Sequence, residues 1–140
     1  MLGKIVEHGF SDEDVLVFLG DYVDRGPDSK GCIDVILKFK KDRDNVFCLM
    51  GNHEDMLVSW AGWAHSAFGQ YFYSNGGEAT MKSYGASQRM SKEEKISFIP
   101  EHHKEFYMNL HHVISTEKFY FVHANADITI LGDDPTKWRE

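Results

Sequence analysis

Three apolar runs in this chain each end in polar residues able to hold a metal ion or a phosphate. The first, 15–19 (VLVFL), leads into Gly20-Asp21-Tyr22-Val23-Asp24-Arg25-Gly26. The second, 46–50 (VFCLM), leads into Gly51-Asn52-His53-Glu54, and the third, 119–122 (FYFV), ends at His123. A pair of divalent ions takes hard oxygen and imidazole ligands, with at least one carboxylate shared between the two. Asp21, at the end of the first run, is the natural shared carboxylate, while Asn52 offers an amide carbonyl and His123 an imidazole. His53 follows Asn52 directly, so it points elsewhere and suits a general acid; Asp24 is placed to accept its ring N–H and fix the tautomer. Arg25 supplies a planar fork for two phosphate oxygens, which lysine matches less well.

Polar residues at the ends of several buried strands describe one site along one sheet edge, where open α/β sheets keep their ligands. The run 15–19 is apolar almost without break, the pattern of a strand covered on both faces in a parallel sheet. Pro27-Asp28-Ser29 opens a helix on which Cys32, Ile33, Ile36, Leu37 and Phe39 recur at helical spacing. Lys38, Lys40, Lys41 and Arg43 crowd its end, where cations suit the helix dipole and form a solvated face. With the strand 46–50 this makes a βαβ unit. Glu54-Asp55 opens a further helix with Met56, Leu57, Trp60 and Trp63 as its apolar face. Asn75-Gly76-Gly77 is a turn before a short helix 78–83 that Gly85 closes. Ser91-Lys92-Glu93-Glu94 has capping-box spacing and opens a helix that stops before Pro100. A helix over 101–110 and two strands, 111–115 and 118–122, joined at Thr116-Glu117, follow. At the start, Leu2, Ile5 and Val6 mark the end of an amphipathic helix that stops at Gly9, and 11–14 is a loop. The tail after His123 has turn residues at Gly132-Asp133-Asp134-Pro135. Without repeats, low-complexity runs or linkers, 1–140 is expected to be one domain.

A hydrophobic content of 42% with 14% aromatic residues supports a packed core rather than disorder. The formal net charge of -7, without a Lys/Arg cluster to track a phosphate backbone, argues against nucleic acid as partner. An acidic chain acting on phosphates needs local positive charge, which bound divalent metals supply. No apolar run reaches the roughly 20 residues that span a bilayer, and no apolar stretch follows Met1 as in a signal peptide. No membrane partner and a cytoplasmic location are therefore expected. Cys32 and Cys48 have no CxxC neighbour and read as small core residues in a reducing compartment. His8, His65, His102, His103, His111 and His112 have no partner at ligand spacing and are expected at the surface or half-buried. Glu54, the last residue of Gly-Asn-His-Glu, reads as part of that motif or equally as a helix-dipole residue.

GDYVDRG, GNHE and FVHA, in this order, resemble the calcineurin-like metallophosphoesterases. Within them they are most similar to the serine/threonine-phosphatase branch, which includes bacterial and phage protein phosphatases and diadenosine tetraphosphate hydrolases. GDxxDRG followed about 30 residues later by GNHE is a highly specific pattern. The run Asn75-Gly76-Gly77-Glu78-Ala79-Thr80 through Tyr84-Gly85 is also similar to the small bacterial members. The resemblance implies an α/β fold, a two-sheet sandwich flanked by helices. It implies two divalent ions, manganese first with iron or zinc as alternatives, bridged by Asp21, the second also held by Asn52 and His123. It further implies that His53, supported by Asp24, protonates the leaving oxygen and that Arg25 holds the phosphate. The reaction implied is attack on phosphorus by a hydroxide that the metal pair activates, without a phosphoenzyme. The implied substrate is a phosphoprotein or, as the alternative, a dinucleoside polyphosphate.

Two departures from the family pattern stand out. Nothing before Asp21 matches the family's Asp-x-His motif, and no histidine follows His123. The domain is therefore expected to be incomplete at both termini, beginning inside the first helix and stopping before the last strands. Trp138-Arg139-Glu140 resembles the family's Trp-x-Arg-Glu with one residue missing, which makes Arg139 a candidate second phosphate clamp. Weak binding of the first metal and little turnover by the chain alone are expected. The remaining alternative is a fragment that binds one metal or a partner without turnover.

Overall fold

A computed structural model describes residues 4, 7, 9–11 and 13–124. The expectations for Leu2, Ile5, Val6 and His8, for the turn at 132–135 and for Arg139 fall outside the described residues.

Strand β1 (Leu16–Phe18) leads through the Gly20–Gly26 turn into helix α1 (Ser29–Lys40). Asp28 caps that helix, its side chain accepting the Gly31 N–H at 2.8 Å, as a short carboxylate at an N-cap should. Strand β2 (Val46–Cys48) returns parallel to β1, with Leu16 opposite Val46 and Phe18 opposite Cys48. The expected βαβ unit is present. Helix α2 (Asn52–Ala61) starts two residues earlier than Glu54-Asp55 suggested, because Gly51 is the N-cap. Two 3-10 turns (Ala67–Tyr71 and Tyr73–Asn75) lead to helix α3 (Gly77–Ser83). Helix α4 (Lys92–Ser97) carries the expected capping box, with Ser91 accepting from the Glu94 N–H and Glu94 accepting from the Ser91 N–H. Helix α5 (Glu101–Met108) ends two residues short of the expected boundary, and strands β3 (Val113–Ser115) and β4 (Tyr120–Val122) form an antiparallel hairpin.

Among the described residues the architecture is mixed α/β with two small sheets and flanking helices, consistent with the fold class that the sequence implied. A parallel bridge between Leu49 and His111 joins them, with the His111 N–H on Cys48 O at 3.0 Å and the Met50 N–H on His111 O at 2.7 Å. This bridge carries the hairpin alongside the exit of β2, where the polar residues begin. The core behind the sheet comprises Ile33 and Ile36 from α1, Leu57 and Val58 from α2, and Phe72 and Tyr107 from the following segments. Trp60 stacks on Phe72 at 4.8 Å and packs against the core, on the apolar face expected of it.

Three expectations need correction. The run 15–19 is not covered on both faces: Val15 and Leu19 are 60% and 55% exposed and β1 between them is half-buried. Apolar composition does not bury a strand whose only ladder partner among the described residues is β2. Cys32 is exposed on α1 and only Cys48 is in the core. His103 is fully buried and hydrogen-bonded on both ring nitrogens, not a surface residue. No helix among the described residues is long and apolar enough to cross a membrane.

Candidate active site

The turn after β1 is strained. Asp21, Asp24 and Arg25 have φ of 57°, 69° and 57°, in the left-handed region that non-glycine residues avoid. Glu54, in the first turn of α2, holds this turn together. Its Oε2 accepts the N–H groups of Asp21 at 2.8 Å and Gly51 at 3.0 Å. Its Oε1 accepts those of Tyr22 at 2.7 Å and Val23 at 3.2 Å. The carboxylate is wholly buried, and burial pushes it above the usual carboxylate range, opposed by these backbone donors. Gly51 is required where the two strand exits touch, since a Cβ there would lie 2.5 Å from Asp21 Oδ1. The Tyr22 hydroxyl seals the same junction, accepting from the Gly20 N–H at 3.0 Å and lying 2.9 Å from Leu49 O.

His123, just past β4, lies against this turn. Its Nδ1 is 2.6 Å from Leu19 O, a carbonyl that only accepts, so Nδ1 carries a proton. In the neutral ring Nε2 then bears a lone pair, and it faces Asp21 Oδ1 at 3.4 Å. Two acceptors facing each other repel unless a cation sits between them or the ring is doubly protonated. Ligand atoms that share an ion at 2.0–2.2 Å lie roughly 3–3.4 Å apart, so the observed spacing fits a divalent ion. Asn52 is exposed at the first position of α2 and lines the same cleft as Asp21. Carboxylate, amide oxygen and imidazole form a donor set suited to manganese, iron or zinc.

Beside this group, His53 Nδ1 is 2.7 Å from Asp24 Oδ2. Asp24 is itself buried and tightly held: the Thr80 hydroxyl donates to its Oδ1 at 2.5 Å, and its own N–H donates to Thr80 Oγ1 at 2.8 Å. Burial pushes the Asp24 carboxyl upward, while the bonds from Thr80 and His53 and the charge of Arg25 oppose the shift. The pairing commits Nδ1 of His53 and leaves its Nε2 for the cleft, which His53 lines. Arg25 is aimed by the segment before α3: its Nε donates to Asn75 O at 3.3 Å and its backbone N–H to Gly76 O at 3.4 Å. Gly76 has φ of 105°, and a Cβ there would lie 2.8 Å from Arg25 Cγ. The cleft encloses about 460 Å³ and is lined by Asp21, Arg25, Asn52 and His53, with exposed Phe68 and Tyr71 beyond them.

The structure therefore places Asp21, Arg25, Asn52 and His53 around one cleft, with Asp24 behind His53 and His123 against Asp21. Sequence reasoning missed three contributors. Glu54 stands in the first turn of α2, as the helix-dipole reading has it, but it is also the acceptor for the whole turn, and its signal was its place directly after Gly-Asn-His. Thr80 and the Asn75 carbonyl lie 56 and 50 residues from the groups they hold, beyond the reach of local pattern. The family model described as calcineurin-like phosphoesterase (Metallophos) matches residues 1–139. Its members are hydrolases of phosphoesters that typically depend on a pair of metal ions. A match over nearly the whole length, on top of this grouping of side chains, makes the chain a member of the calcineurin-like phosphoesterase family.

Proposed function

We propose that this chain is the hydrolytic module of a serine/threonine-phosphatase-like phosphomonoesterase, dependent on divalent ions with manganese first, and acting on phosphoproteins in the cytoplasm. The observation that carries the reading is the facing of His123 Nε2 and Asp21 Oδ1 at 3.4 Å beside the His53–Asp24 pair. In this reading Asp21, Asn52 and His123 hold metal; when bound, it would supply Lewis acidity toward water and the phosphoryl oxygens. Arg25 takes two phosphate oxygens through its terminal nitrogens, its Nε being committed to Asn75 O. Asp24 keeps the proton of His53 on Nδ1 and stabilises the doubly protonated ring, so that the Nε2 proton passes to the leaving oxygen. Arg139 is a second clamp candidate that this reading does not need.

A second reading, hydrolysis of dinucleoside polyphosphates, is favoured by one observation. Phe68 and Tyr71 are 57% and 49% exposed on the cleft wall, where a base can stack on them. The test has two parts. Manganese uptake measured by calorimetry is expected for the chain and lost in Asp21→Asn and His123→Ala. Slow manganese-dependent hydrolysis of p-nitrophenyl phosphate is expected and lost in the same variants; activity equal to wild type in Asp21→Asn would overturn the proposal. Comparing a phosphopeptide with diadenosine tetraphosphate then selects the substrate class.

A further inference from the structure

Away from the cleft, Asp34 on α1 and His102 and His103 in the first turn of α5 bring one ligand atom each within 4.8 Å of one another. We propose that these three residues form a separate site for zinc or a similar borderline divalent ion, tying α1 to α5. It shares no residue with the cleft and does not depend on the function proposed above.

The geometry is close to what such an ion needs. His103 Nε2 lies 2.9 Å from Asp34 Oδ1. Two ligand atoms of a tetrahedral zinc, each about 2.0–2.1 Å from the metal, are roughly 3.3 Å apart, so this pair opens by a few tenths of an ångström. His102 is exposed, and its ring lies 4.5 Å from that of His103 at 84°. Its side chain can swing in to complete the third contact without disturbing the core. Three protein ligands leave a fourth position for water.

The support behind His103 is the stronger argument. A ligating imidazole needs its other nitrogen engaged, to fix the ring and the tautomer. Nδ1 of His103 is 2.8 Å from the Tyr84 hydroxyl, which is 2.8 Å from the Tyr107 hydroxyl, all three side chains being buried. Without metal, Nε2–H donates to Asp34 and Nδ1 accepts from Tyr84. With metal on Nε2, the proton sits on Nδ1 and donates to Tyr84, whose own hydroxyl hydrogen turns to Tyr107. The Tyr84 hydroxyl serves both tautomers, as donor or as acceptor, so exchanging the Nε2 proton for an ion leaves no donor facing a donor and costs only the bond that Tyr107 donates to Tyr84. A plain half-buried hydrogen bond between His103 and Asp34 has no use for His102. Lys30 is the local competitor, with Nζ 2.7 Å from Asp34 Oδ2, the oxygen that the site does not use.

The probe is zinc alone, competed against a chromophoric chelator, on the full chain carrying Asp21→Asn and His123→Ala so that the cleft contributes nothing. One zinc per chain is expected. Adding His102→Ala or Asp34→Asn, both at exposed positions, should weaken binding by about tenfold or more. Lys30→Ala should tighten it. Circular dichroism confirms that each variant is folded. No zinc uptake in the starting variant, or uptake unchanged by His102→Ala, overturns the proposal and leaves His103 with Asp34 as a structural hydrogen bond.

Discussion

Replacing Glu54 with glutamine tests the structural argument at its most sensitive point, because the change keeps shape and removes one acceptor. The carboxylate takes four N–H donors, two on each oxygen. The amide keeps an oxygen for one pair and turns its own NH₂ against the other. A hydrogen bond to a charged acceptor is worth about 1.5–3 kcal/mol, so two lost bonds cost about 3–6 kcal/mol. Removing a buried charge returns part of this, as the upward shift of the carboxyl indicates, leaving about 3 kcal/mol net. Unfolding entropy of about 2.1 cal/mol/K per residue makes that a drop of roughly 10 °C in melting temperature for a chain of this length. Thermal denaturation followed by circular dichroism reads it directly. Glu94→Gln is the control: Glu94 accepts a single exposed N–H in the α4 capping box, and a shift of about 2 °C is expected there. If Glu54→Gln melts within about 2 °C of wild type, Glu54 does not hold the turn and the account of the strained residues fails.

Four further outcomes follow from the same contacts. His53→Gln should lower kcat about 10²–10⁴-fold with KM little changed, and more for an alkyl phosphate than for p-nitrophenyl phosphate, whose leaving group needs no proton; equal effects on both substrates would remove His53 as the acid. Thr80→Val strips Asp24 Oδ1 of its donor and should destabilise by about 1–3 kcal/mol in urea titration, with the pH profile of kcat displaced. Gly76→Ala places a methyl on Arg25 and a side chain at φ of 105°, costing about 1–2 kcal/mol from backbone strain alone and raising KM for phosphate esters. Because burial raises the carboxyls of Glu54 and Asp24, the folded chain holds their protons at pH values where the unfolded chain has released them. Their contribution is full below the ordinary values of 4.5 and 3.8 and is lost as pH rises through the raised ones; urea midpoints in Glu54→Gln should lack the Glu54 part of that decline.

The residues proposed to hold metal and substrate were legible because their chemistry is local. An Asp-x-x-Asp-Arg after one strand and an Asn-His after the next place the donors within a few residues of a strand end, and parallel pairing of β1 with β2 sets the two ends side by side. What holds those donors was not legible. Glu54 looks like any acid in a first helical turn until Asp21 adopts a left-handed φ and presents its N–H to it. Thr80 reaches Asp24 only after α3 has packed beneath the turn. Burial misled in both directions. Val15 and Leu19 are apolar and exposed, while His103 is polar and wholly enclosed, because enclosure depends on which elements arrive from far along the chain. His103 is paired with Asp34, 69 residues away.

Strain and chemistry coincide in the turn after β1 for a physical reason. A glycine would adopt the left-handed conformation of Asp21, Asp24 or Arg25 without penalty, but it carries neither a carboxylate nor a guanidinium. Each of the three therefore costs about 1–3 kcal/mol, together about 3–9 kcal/mol. Hydrogen bonds onto the charged Glu54, about 1.5–3 kcal/mol each, act in the same place, on the N–H groups of Asp21, Tyr22 and Val23, and offset that cost. The reversals also separate the roles. Asp21 faces His123, Asp24 turns back to Thr80 and His53, and Arg25 turns out toward Asn75, so five residues deliver three groups in three directions. An unstrained extended strand would alternate between two faces and could not do this. Glu54 is thus the residue that lets side chains of one short turn point to separate places, which is why an amide there should damage both stability and the placement of the Asp21 carboxylate.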